Sequence, residues 1–249
     1  MRNSPHLQQP AKPDPHQFLL IAGAMKCGTT TLFRHLAAHP AICPANLKEP
    51  EFFSRTQKHK LQLASYESLW NFDPDHHAWA MEASTGYTKD TEPDAAQRIH
   101  DYGLRPKLVY LVRDPFERIE SHYNFMKAQP NWNDRIDGRS LVQTSNYLRR
   151  IRPFAELFGP GRIFVLQLDE LAADALASVN RICRFLDLPE MQLLTTPQIL
   201  NATAYSPDRP QIRLSDDQRS AIHAELNADM QIFGQEFGIE VARWGFGDA

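Results

Sequence analysis

The stretch Phe18 to Phe33, FLLIAGAMKCGTTTLF, constrains this chain more than any other. It opens as an unbroken apolar run, turns through Gly23 and Gly28, and ends in Thr29, Thr30 and Thr31. A run apolar on both faces suits a central parallel strand covered on both sides. Glycines let backbone N–H groups approach a ligand, and the start of a helix adds partial positive charge. A strand, loop and helix of this composition therefore form a phosphate cradle. The common nucleotide-binding pattern G-x-x-x-x-G-K-[ST] has the same glycine spacing, but Thr29 stands where its lysine would be. The loop's own lysine is Lys26, two residues before Gly28. The loop grips phosphate and presents its cation elsewhere.

Other strands and helices alternate behind this unit. Ala78 to Ser84, Lys107 to Val112 and Arg162 to Leu168 read as strands. Helices are predicted from Thr30 to about His39, from Asp94 to Tyr102, from Pro115 to Met126, up to Phe158, and from Asp174 to Asp187. A last helix starts at Ser215, with Gln218 three residues on as a capping box. Residues 58–78 read as a helix with a poorly defined end, anchored by Tyr66, Leu69, Trp70 and Phe72, and Ile42 to Ser54 as a loop pinned by Phe52 and Phe53. The alternation predicts an α/β fold: a single domain over 17–249 with a parallel, doubly wound sheet of the P-loop type and flanking helices. Residues 1–16, with four prolines and no apolar run, read as a flexible N-terminal arm rather than a signal peptide.

Composition narrows the partners. A formal charge of −3 gives no reason to expect nucleic acid, and no stretch is apolar for long enough to span a bilayer. Three cysteines make neither a disulfide framework nor a zinc site, which points to a reducing, cytoplasmic setting and no structural metal.

Three pieces fall at the C-terminal ends of predicted strands, where such a sheet places its site. These are the Lys26 loop, the Glu49 loop, and Arg113 leaving a strand into Asp114-Pro115. An arginine there can hold a phosphate by paired hydrogen bonds. Ser121, two helical turns on, can add a hydroxyl to the same anion. The plainer alternatives are that Arg113 pairs with Asp114 or caps a helix, and that Ser121 is a surface hydroxyl.

Together these pieces resemble one family, the sulfotransferases that use 3′-phosphoadenosine-5′-phosphosulfate (PAPS). Lys26-Cys27-Gly28-Thr29-Thr30-Thr31-Leu32 resembles their 5′-phosphosulfate loop, and Leu111 to Tyr123 (LVRDPFERIESHY) their 3′-phosphate segment. Lys48-Glu49-Pro50-Glu51-Phe52-Phe53 is similar to the acid loop of the branch that holds the heparan sulfate enzymes and many bacterial relatives. The resemblance implies PAPS as co-substrate, no required metal, and a small-molecule or saccharide acceptor. It gives Lys26 the bridging oxygen and the sulfuryl group. Backbone N–H groups from Cys27, Gly28, Thr29 and Thr30, with the Thr30 and Thr31 hydroxyls, would hold the 5′-phosphate. Arg113 and Ser121 would hold the 3′-phosphate, and Glu49 would be the general base, with Glu51 as its local competitor.

Two departures bear on the acceptor and the adenine. The heparan sulfate enzymes carry a lysine after the glutamate of the second strand, whereas here Ala83 follows Glu82, which points away from a glycosaminoglycan. A late Lys-Gly loop over the adenine is replaced by Asn201 to Pro210, where Arg209 is the candidate. His122 lies inside the 3′-phosphate helix and reads as packing rather than as a base. Trp132, Arg149, Arg150 and Arg152 line either the acceptor entrance or an ordinary helix face. The competing readings are a P-loop kinase or NTPase, against which the misplaced lysine counts, and a binding module without catalysis, against which Lys26 and Glu49 count.

Overall fold

A computed structural model describes residues 11–55, 65–129, 132–193 and 211–247. Arg209 with the rest of Asn201 to Pro210, the first part of the N-terminal arm, and residues 56–64 lie outside them. Five strands, β1 (Phe18–Gly23), β2 (Ile42–Pro44), β3 (Trp79–Ala83), β4 (Lys107–Val112) and β5 (Ile163–Gln167), form one sheet in the order β2-β3-β1-β4-β5. Every pairing is parallel. β1 lies in the middle, and every one of its residues is buried, as its continuous apolar run requires.

The helices are α1 (Thr29–Leu36), α2 (Ala95–Asp101), α3 (Pro115–Lys127), α4 (Arg139–Thr144), α5 (Tyr147–Phe158), α6 (Leu168–Ala173), α7 (Ala175–Phe185) and α8 (Asp216–Phe237). α1 packs against α7, while α2, α5 and α8 form a second group. α8 carries the predicted capping box at Ser215 and buries Ile222, Leu226, Met230 and Phe233.

Three local expectations change. Within the segment read as a loop, Ile42 to Pro44 forms an edge strand, with Ile42 opposite Trp79. Three residues are too few to show a period, and an edge position tolerates Pro44. Residues 65–78 hold only a 3₁₀ turn, Tyr66–Leu69, although all four aromatic and leucine anchors are buried. The helix ending at Phe158 is two helices. Asn146 breaks it by accepting the Arg149 N–H at 3.1 Å as the cap of α5.

The chain order sends β2 and β3 to one side of β1 and β4 and β5 to the other. The C-terminal ends of β3, β1 and β4 therefore flank the topological switch of the sheet, the place where open α/β folds bind ligands.

Candidate active site

The loop from β1 to α1 is shaped by two glycines. Gly28 has φ +86° and is the N-cap of α1. A Cβ there would lie 2.6 Å from Leu168 Cδ1, so both the left-handed backbone and the close approach demand glycine. Gly23 is pressed on Thr88, whose hydroxyl donates to the Ala22 carbonyl at 2.8 Å; a Cβ on Gly23 would sit 2.1 Å from that hydroxyl. No side chain caps α1, and its first turn holds no acid. The N-terminus of α1 thus keeps its partial positive charge for an incoming anion.

Lys26, also left-handed at φ 71°, places its ammonium 4.3 Å above the centre of the Phe125 ring on α3. Burial and the nearby Arg113 guanidinium lower its pKa, while Glu49 opposes them. Cys27 is fully buried, and burial raises its thiol pKa to about 11, so it packs as an inert side chain near Tyr147. Thr31 is buried, and Thr30 is half-buried in the first turn of the helix.

The acid loop lies against the end of β3, where the Glu49 N–H donates to the Ala83 carbonyl at 3.1 Å. Phe52 and Phe53 pin it into a cluster with Tyr66 and Tyr102. The two glutamates of the loop differ in environment. Glu51 Oε1 accepts from the Gly86 N–H at 2.8 Å and Oε2 accepts from the Ser54 hydroxyl at 2.5 Å, and burial raises its pKa. The Glu49 side chain is 42% exposed and pairs with Lys48 at 2.8 Å. Beneath them Glu82 is fully buried, accepting from Tyr66, Tyr87 and Ser84, and burial pushes its pKa up to about 7.

The third piece is α3. Asp114 caps it by accepting from the Phe116 and Glu117 N–H groups, and Pro115 fills the first turn. Arg113 pairs with Glu117, not with Asp114. Its Nε is buried and has no hydrogen-bond partner. A buried donor without an acceptor is costly, so this atom is suited to an anion. Ser121 lies four residues beyond Glu117 on the same helix stripe and is half-buried.

α3 also carries groups that sequence reasoning missed. Arg118 is wholly buried and touches the loop carbonyl of Met25 at 3.5 Å. Glu120, only 3% exposed, accepts from Arg213 at 2.5 Å, from Arg219 at 2.6 Å and from the Leu214 N–H at 3.1 Å. That tethers the start of the 211–219 segment next to Ser121. The charged letters of ERIESH gave no sign of which side chains are buried, because burial here is set by neighbours far along the chain.

The basic run faces acids of its own surroundings. Arg149 pairs with Asp229, Arg152 with Glu236, and Arg150 with Asp90. A polar cavity of about 510 Å³ lined by Arg139, Gln143, Arg149 and Glu225 lies among α4, α5 and α8 and includes none of the strand-end groups. Trp132 is half-buried against the core. Among the described residues no group of three or more His, Cys, Asp or Glu side chains is arranged to hold a metal ion, and no helix is long and apolar enough to cross a membrane.

The structure thus brings Lys26, Glu49 and Arg113 to neighbouring strand ends. The uncapped N-terminus of α1 and the partnerless Arg113 Nε are both suited to anionic oxygens.

Comparison with known proteins bears on the family and the fold. Human heparan sulfate glucosamine 3-O-sulfotransferase 5 is 25% identical over 187 residues, covering 68% of this chain and 53% of that protein. The Dictyostelium discoideum membrane-associated sulfotransferase kil1 is 32% identical over 111 residues, 43% of this chain and 22% of its own length. The chain spans about half, or less, of the length of these curated relatives. A sulfotransferase from Alicyclobacillus acidocaldarius superposes with a TM-score of 0.72 at 20% identity, covering 92% of this chain and 98% of that one. The sulfotransferase domain from the curacin biosynthetic pathway gives 0.53 at 17% identity, with 90% and 97% covered. These two show a shared fold. The sulfotransferase domain family matches residues 16–209, which contain the cradle, the acid loop and the Arg113 helix alike. This chain belongs to the sulfotransferase domain family.

Proposed function

We propose that this chain transfers the sulfuryl group of PAPS to a hydroxyl of a small-molecule or saccharide acceptor, an amine being the lesser alternative. The observation that carries the reading is the meeting of three groups at adjacent strand ends. They are a cradle lysine, a half-open carboxylate whose loop partner is tied up, and an arginine with an unsatisfied buried Nε.

PAPS supplies the sulfuryl group and leaves as 3′,5′-bisphosphoadenosine (PAP). The N-terminus of α1, with Thr30 and Thr31, holds the 5′-phosphate, and Arg113 with Ser121 holds the 3′-phosphate. Arg209 lies outside the described residues, and we assign it to the adenine side. Glu49 takes the acceptor proton as the new oxygen–sulfur bond forms opposite the breaking one. Lys26 neutralises the charge that grows on the bridging oxygen. Each turnover consumes one acceptor hydroxyl and gives one sulfate ester, PAP and a proton. The scheme needs no metal, because Lys26 supplies the positive charge where the leaving group forms.

Thermal melting with PAP against ATP–Mg²⁺ tests the co-substrate. Stabilisation by PAP and not by ATP–Mg²⁺ is the expected result, and stabilisation by ATP–Mg²⁺ alone would replace this reading with a kinase or NTPase. Radiolabelled PAPS offered to a panel of alcohols and saccharides then identifies the acceptor.

A further inference from the structure

Arg118 is a buried cation without a buried anion. Its guanidinium donates to Ser145 Oγ at 2.5 Å, to the Leu141 carbonyl at 2.6 Å and to the Met25 carbonyl at 3.5 Å. No carboxylate pairs with it among the described residues, and burial lowers its pKa. Such an arrangement is costly unless a neighbouring group or ligand supplies the missing charge.

Its fourth contact fixes the chemistry of a neighbour. Arg118 Nη1 lies 3.1 Å from His122 Nδ1. A guanidinium has no acceptor and keeps its protons, so the bond has one sense: Arg118 donates and Nδ1 accepts. A neutral imidazole that accepts at Nδ1 carries its own proton on Nε2. Three charged groups act electrostatically on the ring. Arg118 comes from its own helix, Lys26 from the phosphate loop and Lys89 from the turn after β3. All three are cations, and together with burial they hold His122 neutral, its pKa pushed down to about 2. Nε2–H engages no protein acceptor among the described residues.

A neutral N–H donor in the field of three cations complements an oxygen of an anion. The Lys26 ammonium rests over Phe125, one turn beyond His122 on α3, so lysine and imidazole share one surface. The α1 N-terminus and Arg113 serve the phosphates elsewhere. We propose that His122 is a hydrogen-bond donor to the sulfuryl oxygens of bound PAPS, and that Arg118 is the positioning residue that fixes its tautomer. The assignment rests on the PAPS reading above.

Two measurements test it. Nitrogen-15 NMR of the imidazole in the wild-type protein should show a neutral Nε2–H ring from pH 5.5 to 8. A ring that is protonated or carries its proton on Nδ1 overturns the proposal, whatever the variants do. Calorimetry of PAP and of PAPS without acceptor supplies the second readout. His122→Phe should bind PAPS about tenfold or more weakly, the scale of one bond to a charged group, with PAP affinity unchanged. His122→Gln, which keeps an N–H, should recover part of the loss. Equal loss of both ligands would place the donor on a phosphate, and no loss would leave it without a ligand; either overturns the assignment. Wild-type protein that binds neither PAP nor PAPS would instead sink the PAPS reading itself. Arg118→Met, if it folds, should release the tautomer, so that a proton on Nδ1 becomes populated while burial still keeps the ring neutral; if it does not fold, the wild-type spectrum decides alone.

Discussion

Glu51 Oε1 accepts the Gly86 N–H at 2.8 Å, and this bond separates the two acids of the loop that holds them. Glu51 closes the loop onto the turn after β3, while Glu49 stays half-open beside Lys26. Glu49→Gln should therefore keep PAP binding and the melting temperature while turnover falls by about two to four decades. Glu51→Ala should lower stability by about 1–3 kcal/mol, since the Gly86 N–H and the Ser54 hydroxyl lose their acceptor. Near-normal turnover in the Glu49 variant would move the proton acceptor to another group.

Arg113 is held by Glu117 one helical turn on. Arg113→Ala should weaken PAP by about 10- to 100-fold, with far less effect on a nucleotide lacking the 3′-phosphate. Glu117→Gln removes the competing carboxylate and should tighten PAP. Titration calorimetry measures both, and equal weakening of the two ligands by Arg113→Ala would contradict the 3′-phosphate assignment.

Gly28 combines a left-handed φ with a 2.6 Å approach of Leu168 to any added Cβ. Gly28→Ala should cost about 1–2 kcal/mol from the backbone alone, and displacing Leu168 adds to this. Denaturant unfolding measures the loss, which an unchanged midpoint would refute.

Glu82 gives the fold a pH dependence of definite sign. Its pKa is about 7 in the folded chain, against an ordinary value of 4.5. The folded state therefore binds the proton more tightly, and stability falls as pH rises from about 4.5 through 7. Full loss amounts to about 3 kcal/mol at most. Glu51, also raised by burial, acts in the same sense. Glu82→Gln should flatten the fall of melting temperature between pH 5 and 8; parallel curves for variant and wild type would exclude Glu82 as the source.

The parts legible in the sequence are those with a local cause. β1 announced itself by five consecutive apolar residues before two glycines, and β4 by KLVYLV running into Arg113-Asp114-Pro115. The last helix announced itself by Ser215 and Gln218. β2 stayed hidden because three residues carry no period, and because its partner Trp79 lies 37 positions away from Ile42. The different surroundings of Glu49 and Glu51 were also hidden, since they depend on the Gly86 N–H, a long-range contact. His122 read as packing within its helix, while Arg118 carried no sign of its burial. Only the docking of Ser145, Leu141 and Met25 shows that it is interior.

α3 imposes a reading frame on future change. Arg113, Glu117 and Ser121 lie along one stripe, Arg118 and His122 along another, and Glu120 holds the 211–219 segment from a third direction. One residue inserted after Phe116 would turn everything downstream by about 100°. The stripe from Arg113, the contact of Arg118 with the Met25 carbonyl and the tether would be lost together. This helix can evolve by substitution but not by a change in length, so related chains that act on other acceptors are predicted to differ in their loops and to keep the interval from Arg113 to His122 intact.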